Sequence, residues 1–447
     1  MLDELLDIGD RIIARAGDDE QLEAIVVNEV DTEIRVYEGD IESFTSATSQ
    51  GIGIRVIRDR RQGFAWAGSL DPDVIDSTLA EARDNARFGS IDPDLALAEP
   101  DGVEMADLDL YDESILEFAT DDKIRLALDV EKMAQAGDPR VVLVESTDYA
   151  DSISEAAVVT TTGIRVGGRD SGCYVAASVI AGADEETQIG FGYSVDRNPA
   201  ELDLEKAASM AVERSTRLLG ASKPPTGRMT IVLDPMVTAQ FVSIIGSTLS
   251  GEALLKGRSL FADRVGEQVA SPLITLVDDP TNPSAFTAGE ADGEGLATRR
   301  NLLIDGGVLS MFVHNSYTGR RSGVASTGNA IRGYSSTPGA GTIALALTPG
   351  RRQQPEIIAD IEDGVLIQGV SGLHSGVNPV SGDFSTGADG LRIRNGELAE
   401  PLREFTIGST LQRMLLDVIE VGGDLDWLPS SAAGLSLVVG DVTLSGA

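Results

Sequence analysis

Two histidines, His314 and His374, are the only imidazoles in the chain, and they lie far apart in sequence. Neither is followed by glutamate, so no H-E-x-x-H pair shares a helix face. A catalytic zinc needs about three nitrogen, oxygen or sulfur ligands, and no CxxC supplies them. Each histidine reads first as a turn or surface residue and second as a ligand or base. Carboxylates are denser: LVDDPTNPSAFTAGEADGEG (276–295) holds Asp278, Asp279, Glu290, Asp292 and Glu294. Oxygen ligands suit a hard cation, but the EF-hand spacing is missing, and in so acidic a chain a solvated loop is expected. Hydroxyls cluster between glycines in ASTGNA (325–330) and VSGDFSTGADG (380–390). There is no G-x-S-x-G elbow, and Lys256, the one lysine near a serine-rich stretch, is not at the spacing of a known dyad. Glycine lets backbone approach a ligand, and such hydroxyls can hold peptide carbonyls.

Composition narrows the classes. The 447 residues carry a net charge of −37, with the acid spread along the whole chain. A nucleic-acid binder needs a positive footprint, so that class is excluded. Arginine far outnumbers lysine, and the acidity reads as a surface adapted to high salt. Binding of basic peptides is the other reading. No apolar run reaches the roughly 18 residues of a membrane span. The N-terminus, MLDELLDIGDRIIARAGDDE, is acidic where a signal peptide is basic, so a cytoplasmic protein is expected. The single cysteine, Cys173, lies in the apolar alternation GCYVAASVIAG and reads as a buried structural thiol in a reducing compartment.

The elements that must position these residues follow from periodicity. Residues 3–16 have helical spacing, 22–68 alternate as an antiparallel meander, and 71–88 return to a helix. Residues 1–88 form one α+β module. Residues 89–120 are Asp- and Pro-rich, an acidic linker or draped arm. Residues 121–221 repeat the order helix, meander, helix, although the two sequences do not align as a repeat. After the stiff SKPPTG boundary, residues 222–447 form a β-rich domain with long loops, a sandwich or a barrel. The fold class is α+β, two small helix-plus-antiparallel-sheet modules followed by that β-rich domain.

Several segments, in order, resemble one family. KGRSLFADRVGEQVAS (256–271), TLVDDPTNPSAFTAGEADGEG (275–295), NLLIDGGVLSMFVHNSYTGRRSG (301–323), ASTGNA (325–330) and GLHSGVNPVSGDFSTGADGLRIRNGE (372–397) are similar to the C-terminal domain of the TldD/PmbA (TldE) proteins. QGIGIRVIRDRRQGFAWAG (50–68) resembles their first domain. The resemblance implies a cytoplasmic metallopeptidase of two related chains. The TldD-type chain carries H-E-x-x-x-H and a C-terminal cysteine for zinc, and the TldE/PmbA-type chain lacks the ligands. Counting back without a gap from Lys256-Gly257 puts Val242, Ser243 and Ser247 where the histidine, glutamate and second histidine would stand. Residues 408–447 hold no cysteine, and Glu252 alone cannot hold zinc. The G-V-N-P-V-S-G-D-F-S form at 376–385 also matches the PmbA side.

The resemblance thus implies a metal-free subunit, with zinc and catalysis in a TldD-type partner, and an enclosed cavity that threads unfolded peptides. No cofactor and no catalytic residue are expected in this chain. Peptide-holding donors would be Ser326, Thr327, Gly328 and Asn329 in one loop and Asn378, Ser381 and Ser385 in another. The partner is a TldD-type chain in a heterodimer or a second copy in a homodimer, with no nucleic acid and no membrane. Two alternatives stay open: a homo-oligomeric peptide-binding protein without catalysis, and a peptidase using His314, His374 or the 278–294 carboxylates.

Overall fold

The computed structural model describes residues 2–183 and 186–446. Helix α1 (Leu2–Ile13) buries Leu5, Leu6, Ile8 and Ile12, which recur every three to four residues and so form one stripe. Three antiparallel strands follow: β1 (Glu20–Tyr37), β2 (Asp40–Arg58) and β3 (Arg61–Ala67). Their two hairpins turn on residue pairs with positive φ, Glu38–Gly39 and Asp59–Arg60, the geometry that matches strand twist. Helix α2 (Pro72–Phe88) closes the module. After an extended arm come the short α3 (Ser114–Glu117) and α4 (Thr120–Gly137). The pattern then repeats with β4 (Val141–Thr160), β5 (Arg165–Ala183), β6 (Glu186–Asp196) and α5 (Leu204–Thr216).

The two modules share one sheet, of order β3-β2-β1-β4-β5-β6. β1 pairs antiparallel with β4 from Glu23↔Thr160 to Val36↔Thr147. Each core borrows from the other module. Ala157 and Val159 of β4 pack under α1 and α2, and Ile34 and Val36 of β1 pack with α4 and α5. The modules are similar in topology and inseparable in packing.

The C-terminal domain is built around a barrel. Strand β7 (Gly227–Leu233) lies parallel to the strand Asp363–Ser371, and the other ladders are antiparallel. The strand Leu437–Ser445 pairs with β7 and with Glu397–Thr410, closing a ring of five. Its interior holds Ile231, Val365, Ile367, Ile407 and Val439, packed with Phe241, Val242 and Ile245 of helix α6 (Pro235–Thr248). Phe241 meets Phe384 edge to face at 6.3 Å, a favourable aromatic geometry. The chain is α+β, with a β-rich, barrel-containing third domain. The strand Glu397–Thr410 runs into the short helix Leu411–Leu416, which the Thr410 hydroxyl caps by accepting from Arg413 N–H at 3.2 Å.

Candidate functional site

Helix α6 begins where Asp234 caps it, accepting from Met236 N–H at 3.2 Å, with Pro235 in the first turn. Its apolar stripe of Val237, Phe241, Val242 and Ile245 faces the barrel core. The opposite stripe, Gln240, Ser243, Ile244 and Ser247, lines a cavity of about 590 Å³. Leu373, His374, Val377 and Pro379 form another wall, and Leu428 and Ser430 from the C-terminal tail a third. Val242 is therefore parted from Ser243 and Ser247: it is core, and they are cavity wall.

Two close approaches fix this region. A Cβ on Gly246 would lie 2.5 Å from the Leu345 side chain, so α6 sits hard against the strand Leu345–Leu347. A Cβ on Gly251, which opens helix α7 (Gly251–Leu255), would lie 2.3 Å from His314 Nδ1. A side chain at either position would have to displace these neighbours.

The cavity wall does not make a zinc site. Its side-chain polar groups are one imidazole, His374, the amide of Gln240 and three hydroxyls, Ser243, Ser247 and Ser430. Ser247 Oγ already donates to Ile244 C=O at 2.6 Å and Ser430 Oγ to Ala432 C=O at 3.1 Å. Zinc takes imidazole, thiolate and carboxylate, and only the first is present. Among the described residues no group of three or more His, Cys, Asp or Glu is placed to hold a metal. Glu252 lies elsewhere, paired with Lys256 at 2.7 Å. What the cavity offers is an apolar groove with scattered donors, suited to holding an extended chain of any sequence.

The loops expected to supply donors divide. Asn378 is exposed between the cavity residues Val377 and Pro379, its Oδ1 accepting from Val380 and Ser381 N–H. Ser381 and Ser385 follow, both exposed. Thr327 and Asn329 instead point inward and are buried. Asn329 Nδ2 donates to Asp278 at 2.6 Å, and its Oδ1 accepts from Asn301 and Thr327. Thr327 Oγ1 also accepts from His314 N–H at 2.7 Å. Ser326 Oγ donates to His314 C=O, and Gly328 turns with φ of 71°. The placement of Thr327 and Asn329 on an open cavity wall is thus corrected. A buried carboxylate and buried backbone must be satisfied, and these two side chains do that.

His314 is corrected as well. It is buried rather than on a turn or the surface, its Nδ1 3.2 Å from Thr318 Oγ1. Burial lowers its pKa, which keeps the ring neutral. His374 is exposed on the short helix Leu373–Gly376. Cys173 is buried and donates to Asp196 C=O.

The 278–294 carboxylates are not a solvated loop. Asp278, Asp292 and Glu294 are buried. Asp278 accepts from Ile343 and Ala344 N–H at 2.8 Å each. Burial still pushes its carboxyl up to about 6. Asp292 accepts from Glu294, Leu296 and Ala330 N–H. Burial, and then the neighbouring Glu294, push it up to about 7. Glu294 accepts from Ser316 N–H at 2.8 Å and lies 3.6 Å from Arg55 of β2. Arg55 pairs at 2.7 Å with Glu23 of β1, which also pairs with Arg332. Burial alone would raise the Glu23 carboxyl, but Arg332 and Arg55 outweigh it and hold it low. These buried charges lie where the first module meets the C-terminal domain. Sequence reasoning missed them because Glu23 and Arg55, spaced along alternating strands, look like solvent-facing positions, and Glu294 and Arg332 lie in loops with no periodicity.

Comparison with known proteins places this architecture. Residues 22–86, 113–219 and 226–446 match, in order, the PmbA/TldA metallopeptidase domain 1, central domain and C-terminal domain. Metalloprotease PmbA of Escherichia coli O157:H7 is 24% identical over 412 residues, 91% of this chain and 88% of that protein. A metalloprotease of Archaeoglobus fulgidus is 28% identical over 417 residues, 90% and 92% of the two chains. The crystal structure of TldE from Thermococcus kodakarensis superposes with a TM-score of 0.90 at 25% identity, covering 100% of both chains. Three domain matches in sequence order, relatives of nearly equal length and a common three-dimensional structure agree: the chain belongs to the PmbA/TldD metallopeptidase family.

Proposed function

We propose that this chain is the metal-free, TldE/PmbA-type subunit of a two-chain peptidase, and that a related TldD-type chain supplies the zinc. The observation that carries this reading is the cavity face of α6. It keeps the helix, the close packing at Gly246 and Gly251 and a groove, yet it presents Ser243 and Ser247 and no metal-ligand set. Its part is then to bind and enclose unfolded peptide. Apolar walls and the exposed amide and hydroxyls of Asn378, Ser381 and Ser385 would hold main chain without reading side chains.

The test is reconstitution. A TldD-type chain should hydrolyse unstructured peptide several-fold faster with this chain than alone, and Ser247→Trp, which fills the groove, should remove the gain. Equal activity of the TldD-type chain alone would end the proposal.

A further inference from the structure

The first module, the arm and the C-terminal domain meet around a second cavity, of about 450 Å³, which shares no lining residue with the α6 groove. Across the chain acidic residues outnumber basic ones, 72 to 35. On this wall the balance is inverted: Arg55, Lys256 and Arg321 stand with a single carboxylate, Glu252. The rim cations are loosely held. Lys256 pairs with Glu252 at 2.7 Å, and Arg321 lies 3.5 Å from Asp92 and 3.9 Å from Asp94. Lys256, Glu252 and Arg321 are partly exposed, and surface pairs of this kind are worth little, so they exchange readily. Arg55 is different, being only 4% exposed. Its Nη2 meets Glu23 and Glu294, but Glu23 is shared with Arg332, and Glu294 also draws on Arg320. Its Nε–H has no hydrogen-bond partner among the described residues. Buried donors are normally satisfied, so Arg55 calls for one more acceptor. Leu95, Ala96, Leu255 and Pro338 add apolar surface to the same wall.

We propose that this cavity binds a small zwitterion with an apolar body, an apolar amino acid or dipeptide. Its carboxylate meets Arg55 and Arg321, and its ammonium takes the place of Lys256 on Glu252. Each part of the wall selects a part of this ligand. The buried guanidinium and the cationic excess require an oxyanion, and charge-assisted hydrogen bonds to it are strong. Glu252 supplies the one acceptor for a cation. The apolar residues would be left uncovered by a bare inorganic anion, and they suit an aliphatic side chain. A nucleotide fits less well: Tyr317 is the one aromatic residue on the wall, and its hydroxyl is tied to Asp92 at 2.8 Å. The site is separate from the α6 groove and does not rest on the peptidase reading.

Calorimetric titration of the purified full chain with the dipeptide Leu-Leu tests it. Binding should saturate at one dipeptide per chain. Leu-Leu amide, which lacks the carboxylate, and N-acetyl-Leu-Leu, which lacks the ammonium, should each bind about tenfold more weakly. Glu252→Gln should weaken Leu-Leu to a similar extent and leave N-acetyl-Leu-Leu unchanged. Leu255→Trp, which fills this cavity, should abolish binding with an unchanged circular dichroism spectrum. Ser247→Trp, which fills the α6 groove, should leave it intact. Absence of saturable binding overturns the proposal. So does binding lost with Ser247→Trp and kept with Leu255→Trp, which would put the dipeptide in the α6 groove. Inorganic phosphate bound where Leu-Leu is not would also overturn it, as the mark of a plain anion site.

Discussion

Asp292 shows how a single side chain can set a pH dependence. Its carboxyl is raised to about 7 from an ordinary 3.8, by burial first and Glu294 second. The folded chain therefore holds this proton more tightly than the unfolded chain. The stability it contributes is fully present below pH 4 and is lost as pH rises through about 7. Melting temperature should fall between pH 5 and pH 8. Asp292→Asn should flatten that slope in part, with Asp278, raised to about 6, supplying what remains. The variant also sets an amide against Ala330 N–H, costing roughly 1–3 kcal/mol. Thermal melts across the pH range check both effects, and an unchanged slope would show that Asp292 is ionised throughout. The sequence displayed these carboxylates but not their burial. Asp278 and Asp292 are held by backbone N–H groups from residues 294–344, and loop-to-loop bonds of that kind leave no periodic trace.

At the scale of the element, helix α6 was legible as the place where metal ligands would stand. Its rotation was not. A gapless count assigns positions along the chain, whereas packing against the barrel decides that Val242 faces inward and Ser243 and Ser247 outward. The meanders were readable for a simpler reason: alternation over long strands has a single period. The joining of the two meanders into one sheet was not, because the β1–β4 ladder has no connecting turn to announce it. The rotation of α6 has a direct consequence. Ser243→His with Ser247→His puts two imidazoles at i and i+4 on the face that meets His374. This double variant should take up about one zinc per chain, read by elemental analysis after dialysis. No uptake beyond the wild-type level would mean that His374 cannot reach the α6 face.

For the whole molecule, the buried charges between the first module and the C-terminal domain matter most. Glu23 is fully buried between two guanidiniums, Arg55 beside it on the sheet and Arg332 from the distant domain. Glu23→Gln leaves buried Arg332 without its carboxylate and Arg55 with Glu294 alone, and breaking such a pair costs about 3–5 kcal/mol. Urea unfolding should lose that much, and the C-terminal domain should separate from the sheet as a second transition. A single transition at the wild-type midpoint would contradict it. The sequence revealed the order of domains but not this joint, since complementary charges hundreds of residues apart look independent until the fold brings them together.

That joint also bears on how the chain is made. Glu23 and Arg332 are 309 positions apart. Domains begin to fold from the N-terminus during synthesis, at about 5–20 residues per second. The first module must therefore wait for tens of seconds with an acid poised for burial and only one of its two cations to hand. Until Arg332 emerges from the ribosome, Glu23 favours a wetter, looser sheet, and the N-terminal half reaches its final packing only after its distant counter-ion has been translated.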